Sequence, residues 1–232
     1  MPEPRAVIFD LDDTLYPLSR FVQSGLEAVA DVVASEAGVP RRDVAAVLRN
    51  AHRWVPGQEL QGLCSYFGLP ASDVARFVAI IRAHWPDIRL PIESVRVLTQ
   101  LRAGWRVGVL TNGLPDTQRR KAAALGLATL VDAIVFAEEC GDGRGKPARA
   151  PFVRILADLD VRADRAVFVG DDLDADIFGA SRVGMHAIHL ERDGWRGVSR
   201  NDARPDARVP SLGSVPRVAA RLVEGDQRVY AA

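Results

Sequence analysis

The sequence predicts a doubly wound parallel α/β sheet carrying an inserted all-helical subdomain. Three observations predict it. Short, almost continuously apolar runs alternate with amphipathic helical patterns, most of those runs end in a polar cluster, and the interval 16–90 holds helical patterns only. Continuous hydrophobicity suits strands covered on both faces, as in a parallel sheet. Strand–helix alternation is the signature of the doubly wound class.

The strand-like runs 6–9, 106–110, 133–136 and 166–169 each lead into polar or acidic residues, and a fifth, 186–190, follows the turn at Gly184. Helical patterns at 92–103, 115–125, 150–159 and 175–183 lie between them. In the insert the amphipathic stretches are 21–36, 43–53 and 73–85, punctuated by Gly38-Val39-Pro40 and Gly68-Leu69-Pro70. Such a segment is too long for a crossover, so residues 1–15 with 91–232 are expected to form the α/β core and 16–90 a helical cap. The stretch 193–206, rich in Arg, Asp and Gly, reads as a surface loop, and 214–224 as a closing helix.

A chain of 232 residues that is 48% hydrophobic and 26% charged can bury a full core without staples. Its 30 basic and 30 acidic side chains cancel, so no overall field draws it to a nucleic acid polymer or an anionic membrane. No run approaches the length of a membrane span, and the N-terminus has no apolar stretch ahead of its first charges to serve as a signal peptide. Cys64 and Cys140 are the only cysteines, which argues against a disulfide framework or zinc site and for a reducing, cytoplasmic setting. His186 and His189 lie three apart in a strand, so they point to opposite faces and read as structural or exposed.

Four polar clusters follow the apolar runs. Asp10-Leu11-Asp12-Asp13-Thr14 ends the first, where ligands bind in open α/β sheets. Its close carboxylates repel unless a cation or a proton intervenes, although Asp-rich turns are common without either. Thr111-Asn112-Gly113 leads into a helix start and suits an anion, or simply turns the chain. Lys146-Pro147 offers a compact charge for phosphate, or an ordinary loop lysine. The stretch from Gly170 to Asp176 places four carboxylates in six residues. A cation would explain that density, and so in part would the helix N-terminus that follows. Their order and common position at one sheet edge say more than any one cluster does.

Together these residues resemble the phosphatase branch of the haloacid dehalogenase superfamily. That family carries a D-x-D-x-T/V motif, a Ser/Thr ending the second strand, a Lys and an acidic fourth motif, on a Rossmann-like core. Many members carry a helical C1 cap inserted just after the first motif. The resemblance implies a phosphoric monoester hydrolase that acts on a small phosphate ester, of nucleotide or sugar phosphate type, through an aspartyl-phosphate. Asp10 would be the nucleophile and Asp12 the general acid and base. Thr111, Asn112 and Lys146 would hold the phosphoryl group. Mg²⁺ would be bound by Asp10 and Asp171 and by the backbone carbonyl of Asp12, with Asp176, or else Asp172, supporting Lys146 or a metal-bound water. Dehalogenases of the family lack an acid at the position of Asp12, because a halide needs no proton. In capped members specificity is expected from the cap, where His52, Arg53 and Trp54 are either a contact group or the end of a surface helix.

A phosphomutase of the same superfamily keeps these core residues. A signalling receiver module also combines acids, Thr and Lys, but there the acceptor Asp ends the third strand. In this chain that run leads into Ala137-Glu138-Glu139. A catalytically idle binding module would be expected to lack a motif position, and none is missing.

Overall fold

The protein is described here from a computed structural model, over residues 3–54, 57–191 and 199–225, the side chains of 51–54 excepted. Six parallel strands form one sheet in the order β3-β2-β1-β4-β5-β6. They are β1 (Ala6–Phe9), β2 (Arg106–Thr111), β3 (Ala133–Phe136), β4 (Ala166–Gly170), β5 (His186–Leu190) and β6 (Ala207–Val209). From β1 the chain winds outward through β2 and β3, then returns to pair β4 on the opposite side of β1. The topological switch point therefore lies between β1 and β4, and the crevice for a ligand opens beyond their carboxyl ends.

Every residue of β1 is buried, as expected of a central strand covered on both faces. Ala6 and Ile8 share one cluster with Leu110, Phe152, Ile155 and Phe168, to which helix α7 (Arg149–Asp158) contributes Phe152 and Ile155. Helices α5 (Ile92–Leu101) and α9 (Val215–Glu224) pack on β2, β4 and β5. None of their buried residues joins that cluster, so they cover the other face. Burying one such apolar side chain contributes about 1.5–3 kcal/mol.

The chain divides into two compact units, residues 1–17 with 89–232, and residues 18–88. The second unit holds helices α1 (Leu18–Ala37), α2 (Arg41–Trp54), α3 (Glu59–Phe67) and α4 (Asp73–Ala83). Val29, Val33, Val44, Leu48, Leu63 and Phe77 form its separate core. Gly25 lets α1 and α4 approach closely, since a Cβ there would stand 2.6 Å from Ile81 Cγ2.

Three details depart from the sequence reading. The unit boundaries fall two residues from the expected positions, and Tyr16 stays with the α/β unit because its ring is fully buried there and its hydroxyl bonds Asp12. Strand β6 was not expected, since three residues are too few to show a period; it pairs Leu190 with Val209. The helix expected at 175–183 instead begins as a π-helical turn, Leu173–Phe178, that runs into α8 (Gly179–Ser181). Part of the 193–206 segment, 193–198, lies outside the described residues, as do the side chains of His52, Arg53 and Trp54. Among the described residues no helix is long and apolar enough to cross a membrane.

Candidate active site

Asp10 follows β1 directly, and its N–H continues the ladder by donating to Val169 O at 2.9 Å. Beyond it the chain turns sharply through Asp13, whose φ of 58° lies in the left-handed region that Asp tolerates better than most residues. The turn closes through Asp13 N–H to Tyr16 O, 2.9 Å, and Leu15 N–H to Leu11 O, 3.0 Å. Thr111 is the last residue of β2, and Gly170-Asp171 stands at the end of β4 beside Asp10. The parallel register thus brings three of the four clusters to one edge.

Lys146 completes the group from a loop. Its ammonium has three N–H donors and three buried acceptors: Asp10 Oδ1 in a close ion pair, Asp176 Oδ1 at 2.7 Å and Leu110 O at 3.1 Å. Burial disfavours the charge, but Asp10 and Asp176 outweigh it and raise the Lys146 pKa. The side chain of Asn112 is spent on the backbone of this lysine, accepting Lys146 N–H at 2.7 Å and donating to Lys146 O at 3.0 Å. What Asn112 leaves for a ligand is its own backbone. Gly113 N–H donates to Glu138 Oε1 at 2.8 Å, which anchors the same loop to the end of β3.

The four carboxylates between Gly170 and Asp176 have different tasks. Asp171 Oδ1 accepts from Thr14 Oγ1 at 3.2 Å, and its Oδ2 has no partner among the described residues. Asp172 caps the π-helical turn, accepting the N–H groups of Asp174 and Ala175, each at 2.8 Å. Asp174 holds residues 199–201, through Ser199 Oγ at 2.5 Å and the N–H groups of Arg200 and Asn201. Asp176 is carried back over Gly170 to Lys146 by the wide turn, in which Ile177 N–H reaches Asp172 O at 3.3 Å. Of the two candidates for supporting Lys146, Asp176 is the one that touches it.

Gly170 makes that return possible. A Cβ there would stand 2.1 Å from Asp176 Oδ2 and 2.5 Å from its Cγ, so Gly170→Ala must expel the carboxylate from Lys146. The expected result is a loss of about 1–3 kcal/mol from overpacking, read by chemical denaturation. Activity should fall with it, and a Gly170→Ala protein with wild-type stability and rate would contradict this role for the glycine.

Asp10, Asp171 and Asp176 each place a carboxylate oxygen within 4.8 Å of the others. Burial pushes Asp10 up to about 7, with Lys146 pulling down and Asp176 adding to the rise. Burial and then the charge of Asp10 push Asp171 up to about 6. Asp176 is raised too, by burial against the opposing Lys146. One lysine does not neutralise three acids, Asp10 and Asp176 buried and Asp171 half-buried, and both Asp10 and Asp171 keep an oxygen unused by the described residues. A divalent cation fits this donor set in charge and in chemistry.

Asp12 stands apart from that group, held by groups that the sequence reading did not single out. Tyr16 Oη donates to Oδ1 at 2.6 Å, Gln118 Nε2 to Oδ2 at 3.0 Å, and Lys121 Nζ to both, at 2.9 and 2.8 Å. Gln118 also donates to Thr111 Oγ1 at 2.5 Å. One signal was available in the sequence. Helix α6 (Pro115–Ala124) has no large apolar residue, yet its inward face must be buried, and Gln118 and Lys121 are on it. His189 was also underread. Its Nε2 lies 2.9 Å from Asp171 O, and its Nδ1 lies 3.3 Å from Arg208 Nη1 and 3.4 Å from Glu191 Oε1, so the ring ties the Asp171 loop to β6. His186, on the other face, is half-buried and 4.0 Å from Asp206.

The haloacid dehalogenase-like hydrolase family model matches residues 4–184. The chain belongs to the haloacid dehalogenase superfamily. Among curated relatives of this superfamily, ribulose-1,5-bisphosphate 5-phosphatase of Halopiger xanaduensis is 32% identical over 90% of this chain and 97% of its own. Glyceraldehyde 3-phosphate phosphatase of Methanopyrus kandleri is 30% identical over 85% of this chain and 89% of its own. The fold matches that of the HAD-hydrolase YfnB from Bacillus subtilis, solved bound to magnesium, with a TM-score of 0.66 and 17% identity over 94% of this chain and 99% of that one. This member of the superfamily is a phosphoric monoester hydrolase.

Proposed function

We propose that the protein hydrolyses a small sugar phosphate, with Mg²⁺, through a phosphoryl group carried transiently on Asp10. The observation that carries the reading is the buried set Asp10–Lys146–Asp176 with Asp171 alongside and Asp12 held separately. The two phosphatase relatives named above act on phosphorylated sugars by their names, and that supports the substrate class.

In the first step an Asp10 carboxylate oxygen attacks phosphorus, the bond to the ester oxygen breaks, and Asp12 supplies that oxygen with a proton. In the second, Asp12 takes a proton from water as the water oxygen attacks phosphorus. The bond to Asp10 then breaks, releasing phosphate and restoring both aspartates. Lys146 balances charge beside the nucleophile throughout. Thr111 and the backbone that follows meet the phosphoryl oxygens. Asp10, Asp171 and the carbonyl of Asp12 would hold Mg²⁺, which supplies countercharge for an anionic nucleophile approaching an anionic ester.

A panel of phosphorylated metabolites, ranked by kcat/KM with Mg²⁺, tests the substrate class. Sugar phosphates should lead, and preference for an unrelated ester would overturn it. Metal binding carries its own prediction, because Asp10 and Asp171 must shed protons to bind a cation. With pKa values raised to about 7 and about 6, Mg²⁺ affinity should fall roughly 10- to 100-fold between about pH 7.5 and 5.5. In metal-free protein the same two groups act in the opposite direction. The stability they contribute is present in full below the ordinary carboxylate range and is lost as pH rises through about 6–7. The rise in Tm on adding Mg²⁺ should therefore be larger at the higher pH. A rise independent of pH would remove these two acids from the metal site.

A further inference from the structure

We propose that Gln118 and Lys121 of α6 are positioning residues for Asp12, aiming its carboxylate at the departing ester oxygen and then at the attacking water. The proposal rests on the acid–base role given to Asp12 above. Three features carry it. First, Asp12 lies beyond β1 in a turn that bridges it to Tyr16, so the backbone places its Cα and the aim of the carboxylate is left to its side-chain torsions and the groups that bond it. Second, Lys121 is only 4% exposed although it is a lysine, and burying that charge is costly without an anion to receive it. The ammonium spans both Asp12 oxygens at 2.8 and 2.9 Å, so it keeps its hold through either one while the other meets the substrate. Asp12 retains 22% of its side-chain exposure for that encounter.

Third, Gln118 lies one helical turn before Lys121, on the same face of α6. Its amide nitrogen joins Asp12 Oδ2, at 3.0 Å, to Thr111 Oγ1, at 2.5 Å. The residue expected to meet the phosphoryl oxygens and the residue expected to move the proton are thereby set at a fixed spacing by one side chain. With Tyr16 donating to Oδ1, the carboxylate is held by three residues from two parts of the chain, the turn after β1 and α6.

A purely structural ion pair would also bury Lys121, so the test must read coupling rather than loss. The substitutions Lys121→Met and Asp12→Ala, alone and together, are compared by steady-state hydrolysis of p-nitrophenyl phosphate with Mg²⁺. Lys121→Met should lower kcat about 10- to 100-fold while KM changes by less than about 3-fold, since only an acid–base contribution is being misaimed. In the Asp12→Ala background the same substitution should cost less than about 3-fold, because the group it positions is gone. Lys121→Arg should recover part of the loss. Equal losses in both backgrounds, or a rise in KM with kcat unchanged, would overturn the proposal. If Lys121→Met does not fold, Gln118→Leu is carried through the same cycle with the same two outcomes. Asp10→Asn is assayed alongside. Activity in that variant would defeat the covalent reading, whereas the coupling between positions 12 and 121 would still decide this one.

Discussion

Asp10→Asn is expected to abolish turnover while leaving the protein folded and no less stable. An amide oxygen cannot attack phosphorus at a useful rate, and loss of a covalent nucleophile costs at least about 10³-fold. Stability should move the other way. Asp10 is buried, and its burial and its neighbour Asp176 raise it to about 7 despite Lys146. Near neutral pH the wild-type protein without metal therefore pays for holding this carboxylate ionised. Asparagine keeps an oxygen to accept from Lys146 and carries no charge, so the metal-free Tm above about pH 7 should equal or exceed that of the wild type. Mg²⁺ should stabilise the variant less, since one of its carboxylates is gone. Near-native activity in the purified variant would contradict the covalent mechanism, and a collapse of Tm would contradict the electrostatic account.

Asp12→Ala should separate two tasks. As an acid, Asp12 matters most when the leaving group is a poor one, such as a sugar alkoxide. As a base it matters for every substrate, because the same phosphorylated Asp10 must be hydrolysed each time. Acid–base assistance contributes about 10²–10⁴-fold, roughly 3–5 kcal/mol. Turnover of alkyl phosphates should almost stop. With p-nitrophenyl phosphate, whose leaving group needs little protonation, the first step should survive better and the second should limit. A quench-flow trace should then show a burst of p-nitrophenol followed by a slow steady state. Equal losses for alkyl and aryl esters in the phosphorylation step would refute the acid role. Unimpaired hydrolysis of the phosphorylated enzyme would refute the base role.

What the sequence made legible, and what it did not, follows from the range over which each feature is encoded. The strands carrying Asp10, Thr111 and Gly170 announce themselves as local apolar runs, and parallel pairing then places their ends together. The helical character of residues 18–88 is equally local, through helical periods broken by Gly-Pro turns. The division of labour among Asp171, Asp172, Asp174 and Asp176 was not legible. It depends on a π-helical turn and on Ser199, Arg200 and Asn201 arriving from far along the chain. Gln118 and Lys121 escaped for the same reason, since their partner Asp12 lies 106 and 109 residues away in sequence, whereas Tyr16 is only four residues away and is turned onto Asp12 by the tight turn between them. Strand β6 is three residues long, too short for any pattern to mark it.

The central claim, that Asp10 carries the phosphoryl group, is tested most directly by trapping it. Asp12→Ala protein mixed with p-nitrophenyl phosphate and Mg²⁺ is quenched in acid within the burst, digested and examined by mass spectrometry. The account predicts one added phosphoryl group on the peptide that contains Asp10, removed by hydroxylamine as an acyl phosphate must be, and absent when Asp10→Asn is combined with Asp12→Ala. A burst of p-nitrophenol with no modified peptide, or with the phosphoryl group on another residue, would contradict it.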